Sequence, residues 1–143
     1  MEGLDVKIVT PMGVTYTQDG VKTITVTTQE GEITVHPRHV PMISLLAPGE
    51  MTVRTKDANL YLAVAHGVLE VRKDNNIIIL ADRAEHAEEI DFIRAQEAKD
   101  RAERKLRETS LTPKQASQYE QLLEKEENRL VVATRHKERN EVE

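Results

Sequence analysis

The first 81 residues alternate apolar and polar side chains with a period of two, which is typical of half-buried β-strands. In the first run, Leu4, Val6 and Ile8 alternate with Asp5 and Lys7. Further runs cover residues 23–27, 32–35, 51–55, 60–65, 68–71 and 76–81. Glycines and prolines separate these runs, and no helical period lies between them. The pattern therefore predicts an antiparallel β-sandwich or flattened barrel rather than a parallel sheet.

A helical period replaces the strand period after residue 81. From Asp82 onward the chain has one proline, no glycine and a dense mixture of Glu, Lys, Arg and Ala. Ala95, Ala98, Ala102 and Leu106 recur at spacings of three and four, which predicts a helix with a narrow apolar stripe.

A second helix is predicted to begin after Thr112. Thr112 and Gln115 form a capping box, and Pro113 occupies the first helical position, where its missing N–H does no harm. The expected stripe of this helix is Ala116, Tyr119, Leu123, Leu130 and Ala133, with Glu126 as an interruption. Two helices joined by a short connection predict an antiparallel hairpin. The charged residues 137–143 are expected to fray.

The fold class predicted from these patterns is α+β. An N-terminal antiparallel β-sandwich is assigned to residues 1–84, and a C-terminal antiparallel two-helix hairpin is assigned to residues 85–143.

Composition limits the possible classes of function. Aromatic residues make up 3% of the chain, so the core is expected to consist of Val, Ile and Leu. A net charge of −5 without a basic tract argues against nucleic-acid binding, and the absence of cysteine excludes disulfides and thiolate chemistry. No apolar stretch reaches the roughly 18 residues of a spanning helix. The first ten residues lack the pattern of a signal peptide, so membrane association is expected only through a partner.

Candidate catalytic residues are sparse. The sequence has neither a Gly-rich phosphate loop nor a nucleophile elbow. His36 and His39 flank Pro37, but no further ligand lies at a metal-binding spacing, so no metal site and no catalytic residue is predicted. His66, beside Gly67, is interpreted as a turn residue. An enzyme with its site at these histidines is the least favoured hypothesis.

Several short motifs occur in an order that resembles a known family. They are Gly31-Glu32-Ile33, His39-Val40-Pro41, Pro48-Gly49, Gly67-Val68-Leu69-Glu70-Val71, Ile79-Leu80-Ala81-Asp82 and Ile90-Asp91-x-x-Arg94-Ala95. Together they resemble the epsilon subunit of bacterial F-type ATP synthases, called delta in mitochondria. The likeness extends from about residue 4 to residue 107, and the second helix resembles the family in architecture more than in sequence.

This resemblance implies a non-catalytic rotor subunit whose sandwich binds the gamma subunit and the ring of membrane c subunits. The loop Glu30-Gly31-Glu32 and the turn at His39 would make those contacts. The hairpin would either fold against the sandwich or extend along gamma into the alpha/beta catalytic head, where it inhibits ATP hydrolysis. The implied location is peripheral, on the cytoplasmic face of the bacterial membrane, in proton-driven ATP synthesis.

The resemblance also implies a regulatory ATP site, although no cofactor is required. The residues implied are Glu85, Asp91, Arg94, Arg101, Lys125 and Arg129. Lys125 stands where nucleotide-binding members carry an arginine. The competing interpretation is that Asp91 with Arg94, and Glu97 with Arg101, are ordinary ion pairs on a helix surface. An unrelated β-sandwich interaction module with a helical docking hairpin is the alternative for the whole chain.

Overall fold

The computed structural model describes residues 3–142, which form two compact units. The first unit ends at His86, and the second begins at Ala87. The sequence predicted this boundary two residues earlier, after residue 84. The first unit extends to His86 because Ala84–His86 pairs with another strand of that unit.

Within residues 3–86 the first unit contains ten strands. They are β1 (Leu4–Thr10), β2 (Gly13–Val21), β3 (Thr23–Thr28), β4 (Gly31–Val35), β5 (Met42–Leu46), β6 (Gly49–Arg54), β7 (Asn59–Val64), β8 (Gly67–Val71), β9 (Asn76–Ala81) and β10 (Ala84–His86). The sequence pattern did not predict β2, β5 or β10. β2 is mostly exposed and so lacks a clear apolar alternation, whereas β5 is apolar on both faces.

The strands form one continuous sheet in the order β10-β7-β6-β3-β5-β8-β9-β1-β2, with β4 on the other side of β3. The start of β3 pairs with β6 and its last residue, Thr28, pairs with Leu46 of β5, so β3 joins the two halves of the sheet. All pairings are antiparallel, as predicted, except that of β1 with β9. A parallel pair needs a long connection, and the strands between β1 and β9 supply it.

The core of the first unit is aliphatic, as the composition predicted. Its largest fully buried side chains include Leu4, Ile8, Leu69 and Ile79. The two terminal strands of the sheet meet through the rings of Tyr16 on β2 and His86 on β10, whose centroids are 5.9 Å apart in an edge-to-face arrangement. Burial raises the pKa of the Tyr16 hydroxyl. The sheet therefore closes on itself around its core.

Within residues 87–142 the second unit contains a 3₁₀ turn (Ala87–Glu89) and the helices α1 (Phe92–Leu106) and α2 (Pro113–Val142). The helices pack against each other and are joined by residues 107–112. Ala95 and Ala102 are fully buried on α1, which confirms the small-residue stripe. No helix in the described part of the chain is both long and apolar enough to span a membrane.

The capping box that starts α2 is present as predicted. The backbone N–H of Thr112 donates to Gln115 Oε1 at 3.0 Å, and the N–H of Gln115 donates to Thr112 Oγ1 at 3.1 Å. The prediction that residues 137–143 fray is wrong for residues 137–142, because α2 continues through Val142, and Glu143 lies outside the described residues. Glu126, which interrupts the predicted apolar stripe, is itself buried together with Arg129.

Candidate functional site

The residues predicted to bind ATP on the first helix lie at its start and two turns further on. Asp91 is the N-cap of α1: its Oδ1 accepts a hydrogen bond from the Arg94 N–H at 3.0 Å. Its backbone is extended (φ −83°, ψ 100°), so Asp91 lies just before the first helical residue. The Arg94 Nε is 3.5 Å from Asp91 Oδ2, which gives the predicted surface ion pair.

Arg94 and Arg101 present two guanidinium groups to solvent on one side of α1. They are seven residues apart, so their backbones are separated by about 10 Å along the helix axis. The Arg94 side chain is 83% exposed. Arg101 is exposed, and among residues 3–142 it makes no ion pair. The ion pair of Arg101 with Glu97, which the competing interpretation required, therefore does not form within these residues. Both guanidinium groups can therefore bind an anion, and little of their hydration would be lost in doing so.

The predicted ligands on the second helix are in a different environment. Lys125 is half-buried, and Arg129 lies one turn after it. Arg129 Nη1 donates to Glu126 Oε2 at 2.7 Å, and the two side chains are only 10% and 4% exposed. Arg129 is thus already bound to a carboxylate within its own helix, which the sequence argument did not anticipate.

Glu85, the sixth predicted ATP ligand, lies on β10 of the first unit. Its Oε2 is 3.5 Å from Arg83 Nη2, and its side chain is 16% exposed. The other five predicted ligands all belong to the second unit.

The predicted partner-contact loop is the turn between β3 and β4. Thr28 Oγ1 donates to the Gly31 carbonyl at 2.6 Å and accepts the Glu30 N–H at 3.1 Å, which fixes the turn. Gly31 has a φ of +123°, a backbone conformation that favours glycine. The side chains of Glu30 and Glu32 are exposed, so this turn presents two carboxylates to solvent.

The second predicted contact, His39, lies beyond the far end of β4 from that turn. The His39 N–H donates to the His36 carbonyl at 3.2 Å, and the Arg38 N–H donates to Asn75 Oδ1 at 2.7 Å. Within the described residues β4 pairs only with β3, so one edge of β4 is open along its whole length. The two predicted contacts therefore mark the ends of an open edge strand and do not form one cluster.

One surface feature escaped the sequence analysis: a row of apolar side chains across the outer face of five strands. Val14, Val9, Leu80, Val68 and Leu45 are register neighbours across β2, β1, β9, β8 and β5. We call these five residues the outer apolar row. With strands about 4.8 Å apart, the row is about 19 Å long. Val14, Leu80 and Leu45 are 59%, 47% and 54% exposed.

A rim that contains both apolar and charged side chains borders the outer apolar row. Two residues further along the strands, Ile43 pairs with Glu70, Glu70 with Ile78, and Ile78 with Lys7. Arg72 Nε donates to Glu70 Oε1 at 2.8 Å, and this hydrogen bond raises the pKa of the Arg72 guanidinium. An apolar centre beside a charged rim is the usual anatomy of a protein–protein interface.

The outer apolar row had a signal in the sequence. A strand with one solvated face alternates, whereas the runs Ile77–Leu80 and Met42–Leu46 are apolar at adjacent positions. Such runs indicate strands that are covered on both faces.

The histidines considered for catalysis do not form a metal site. His36 and His39 share the turn after β4, and His66 lies in the turn between β7 and β8, as predicted. Across the described residues no three His, Asp or Glu side chains are grouped to hold a metal ion.

Comparison with known proteins matches both units. Residues 3–87 match the family model described as ATP synthase, Delta/Epsilon chain, beta-sandwich domain, and residues 88–134 match that of its long alpha-helix domain. The ATP synthase epsilon chain of Staphylococcus aureus (strain JH9) is 41% identical over 133 residues, which is 93% of this chain and 98% of that protein.

Solved structures show the same fold. A chain in a cryo-EM structure of the Euglena gracilis mitochondrial ATP synthase (OSCP/F1/c-ring) superposes with a TM-score of 0.75 at 24% identity, covering 90% of this chain and 79% of that one. A chain in the central stalk/c-ring of the Tetrahymena thermophila mitochondrial ATP synthase gives a TM-score of 0.58 at 16% identity, covering 95% and 98%.

Proposed function

The chain belongs to the ATP synthase delta/epsilon family, and we propose that it is a rotor subunit that connects gamma to the c-ring and regulates ATP hydrolysis. The observation that carries this proposal is the match of both units, in order, to the two domains of that family. The 41% identity to an epsilon chain over almost its whole length supports the same role. An unrelated sandwich module is therefore no longer needed to explain the chain. Its place is peripheral to the membrane, on the cytoplasmic face, through its partners.

The outer apolar row is the docking surface for the gamma subunit. Monomeric proteins rarely leave contiguous apolar surface in water, and such patches usually mark interaction sites. Leu45 and Leu80 supply the large side chains of the row, and Glu70 and Lys7 supply its charged rim. The apolar side chains of this row are exposed or half-buried in the free chain, and binding of a partner would bury them.

The open edge of β4 and its two ends are the contact with the c-ring. The exposed carboxylates of Glu30 and Glu32 lie at one end and His39 lies beyond the other. An edge strand offers unpaired backbone groups to a partner, and the flanking charges limit non-specific pairing.

The hairpin is the regulatory element that inhibits hydrolysis in the alpha/beta head. Ala95 and Ala102 bury only small side chains on α1, and each contributes less than the 1.5–3 kcal/mol or so of a buried Leu or Ile. The Glu126–Arg129 pair adds little net stability, because two charges lost hydration when it formed. Weak internal packing of this kind suits an element with two states close in free energy, which a ligand that prefers one state can switch.

ATP is the proposed ligand of that switch, bound for sensing and not for hydrolysis. The support is the resemblance around Asp91 and Arg94 together with the exposed guanidinium groups of Arg94 and Arg101. The planar fork of arginine fits two phosphate oxygens at once, which the point charge of lysine does not.

Replacing Arg94 with alanine should abolish ATP binding, because it removes one of the two exposed guanidinium groups that the proposed site offers to phosphate. Isothermal titration of ATP into the isolated chain measures this directly. Arg104→Ala is the matched control, since Arg104 is an exposed arginine on another side of the same helix. Equal heats for wild type, Arg94→Ala and Arg104→Ala would contradict the assigned site, and no heat in folded wild type would contradict ATP sensing.

A further inference from the structure

The buried ion pair of α2 involves one of the proposed nucleotide ligands. We propose that Glu126 is an internal competitor for Arg129, which occupies the guanidinium group that phosphate would bind and thereby sets the nucleotide affinity. This inference rests on the proposed ATP sensing and names a residue that tunes it.

The geometry of the pair supports a competitor. Glu126 Oε2 accepts from Arg129 Nη1 at 2.7 Å, within the range of strong charge-assisted bonds. The two residues are 3% and 8% exposed, and charged side chains are almost never buried this deeply without a partner. Since they are three residues apart on one helix, the pair survives any movement that leaves α2 helical.

Arg94 shows the contrast. The Arg94 side chain is 83% exposed and its Nε lies 3.5 Å from Asp91 Oδ2, so a phosphate can replace that weak contact at little cost. To bind phosphate, Arg129 would instead have to break its short hydrogen bond with Glu126 in a buried environment. A phosphate that approached it would also meet the Glu126 carboxylate, and like charges repel strongly where solvent screening is poor.

Phosphate and the Glu126 carboxylate therefore exclude each other at Arg129. Nucleotide binding gains little from Arg129 as long as the Glu126 carboxylate holds its guanidinium group. The sensor then responds at a higher ATP concentration than it would with a neutral side chain at position 126.

Glu126→Gln tests this inference, because it keeps the size and one acceptor of the side chain but removes its charge. Titration calorimetry with ATP should give a dissociation constant at least about tenfold lower for E126Q than for wild type. The matched control is Glu127→Gln, an exposed neighbour on α2, which should leave the constant unchanged.

A second variant controls for any loss of stability caused by breaking the pair. E126Q/R129Q removes both charges of the pair, and replacing both members of a buried pair is tolerated far better than replacing one. Its dissociation constant for ATP should lie within about threefold of wild type, because Arg129 contributes little while Glu126 holds it.

The outcomes separate this inference from the proposed function. Equal affinities of wild type and E126Q, or a loss of tenfold or more in E126Q/R129Q, would show that Glu126 does not compete, while ATP sensing would stand. No heat in wild type or in E126Q, with helical content intact, would overturn ATP sensing and this inference together.

Discussion

Replacing Leu80 with glutamate should weaken binding of the chain to its gamma subunit by about 100-fold or more while leaving the sandwich folded. Leu80 lies at the centre of the outer apolar row, between Val9 and Val68. A carboxylate there would lose its hydration on docking and find no cation in the row. Because the side chain is 47% exposed in the free chain, the stability of the sandwich should change little.

The measurement is the dissociation constant of the chain with a purified gamma subunit, by calorimetry or surface-based kinetics. Leu45→Glu, at one end of the row, should weaken binding in the same direction. Lys56→Glu is the control, since Lys56 is an exposed residue of the β6–β7 turn outside the row. Unchanged affinity in a folded Leu80→Glu variant would remove the outer apolar row from the interface.

Replacing Arg129 with leucine should lower the free energy of unfolding of the hairpin by about 3–5 kcal/mol. The change leaves the Glu126 carboxylate, whose side chain is 4% exposed, without the cation that now lies 2.7 Å away. The double variant E126L/R129L removes both charges and should be neutral or more stable than wild type, because the desolvation cost disappears with them.

Unfolding in urea, followed by helical circular dichroism at 222 nm, measures both variants. The control is Glu103→Ala, which breaks the partly exposed contacts with Lys99 at 3.7 Å and Arg107 at 3.8 Å and should change stability by less than about 1 kcal/mol. If R129L and E126L/R129L were equally destabilised, the loss would come from packing around the arginine stem and not from a stranded charge.

Local patterns predicted the elements of this fold better than their arrangement. The period-two runs and the Thr112–Gln115 capping box depend on neighbours in sequence, and both were confirmed. The parallel pairing of β1 with β9 joins segments about 70 residues apart, which no local period reports. The strand β2 was missed because its surface is mostly exposed, so burial leaves little trace in its sequence.

The candidate site shows the same division between residue type and environment. The sequence identified Arg94, Arg101 and Arg129 by resemblance, but it did not show that two are solvated and one is buried. Glu126 was recognised as a charged interruption of the apolar stripe, but its burial beside Arg129 was not predicted. Arg129 three residues later was the available signal of a partner, since that spacing brings side chains together on a helix.

The most direct test of the rotor assignment is to purify the tagged chain from the membranes of its source cells and to determine the composition of the complex by native mass spectrometry. We expect one copy of the chain for each gamma subunit, together with the c-ring and the catalytic head, and loss of this complex for Leu80→Glu. Recovery of the folded wild-type chain without any ATP synthase subunit would contradict it.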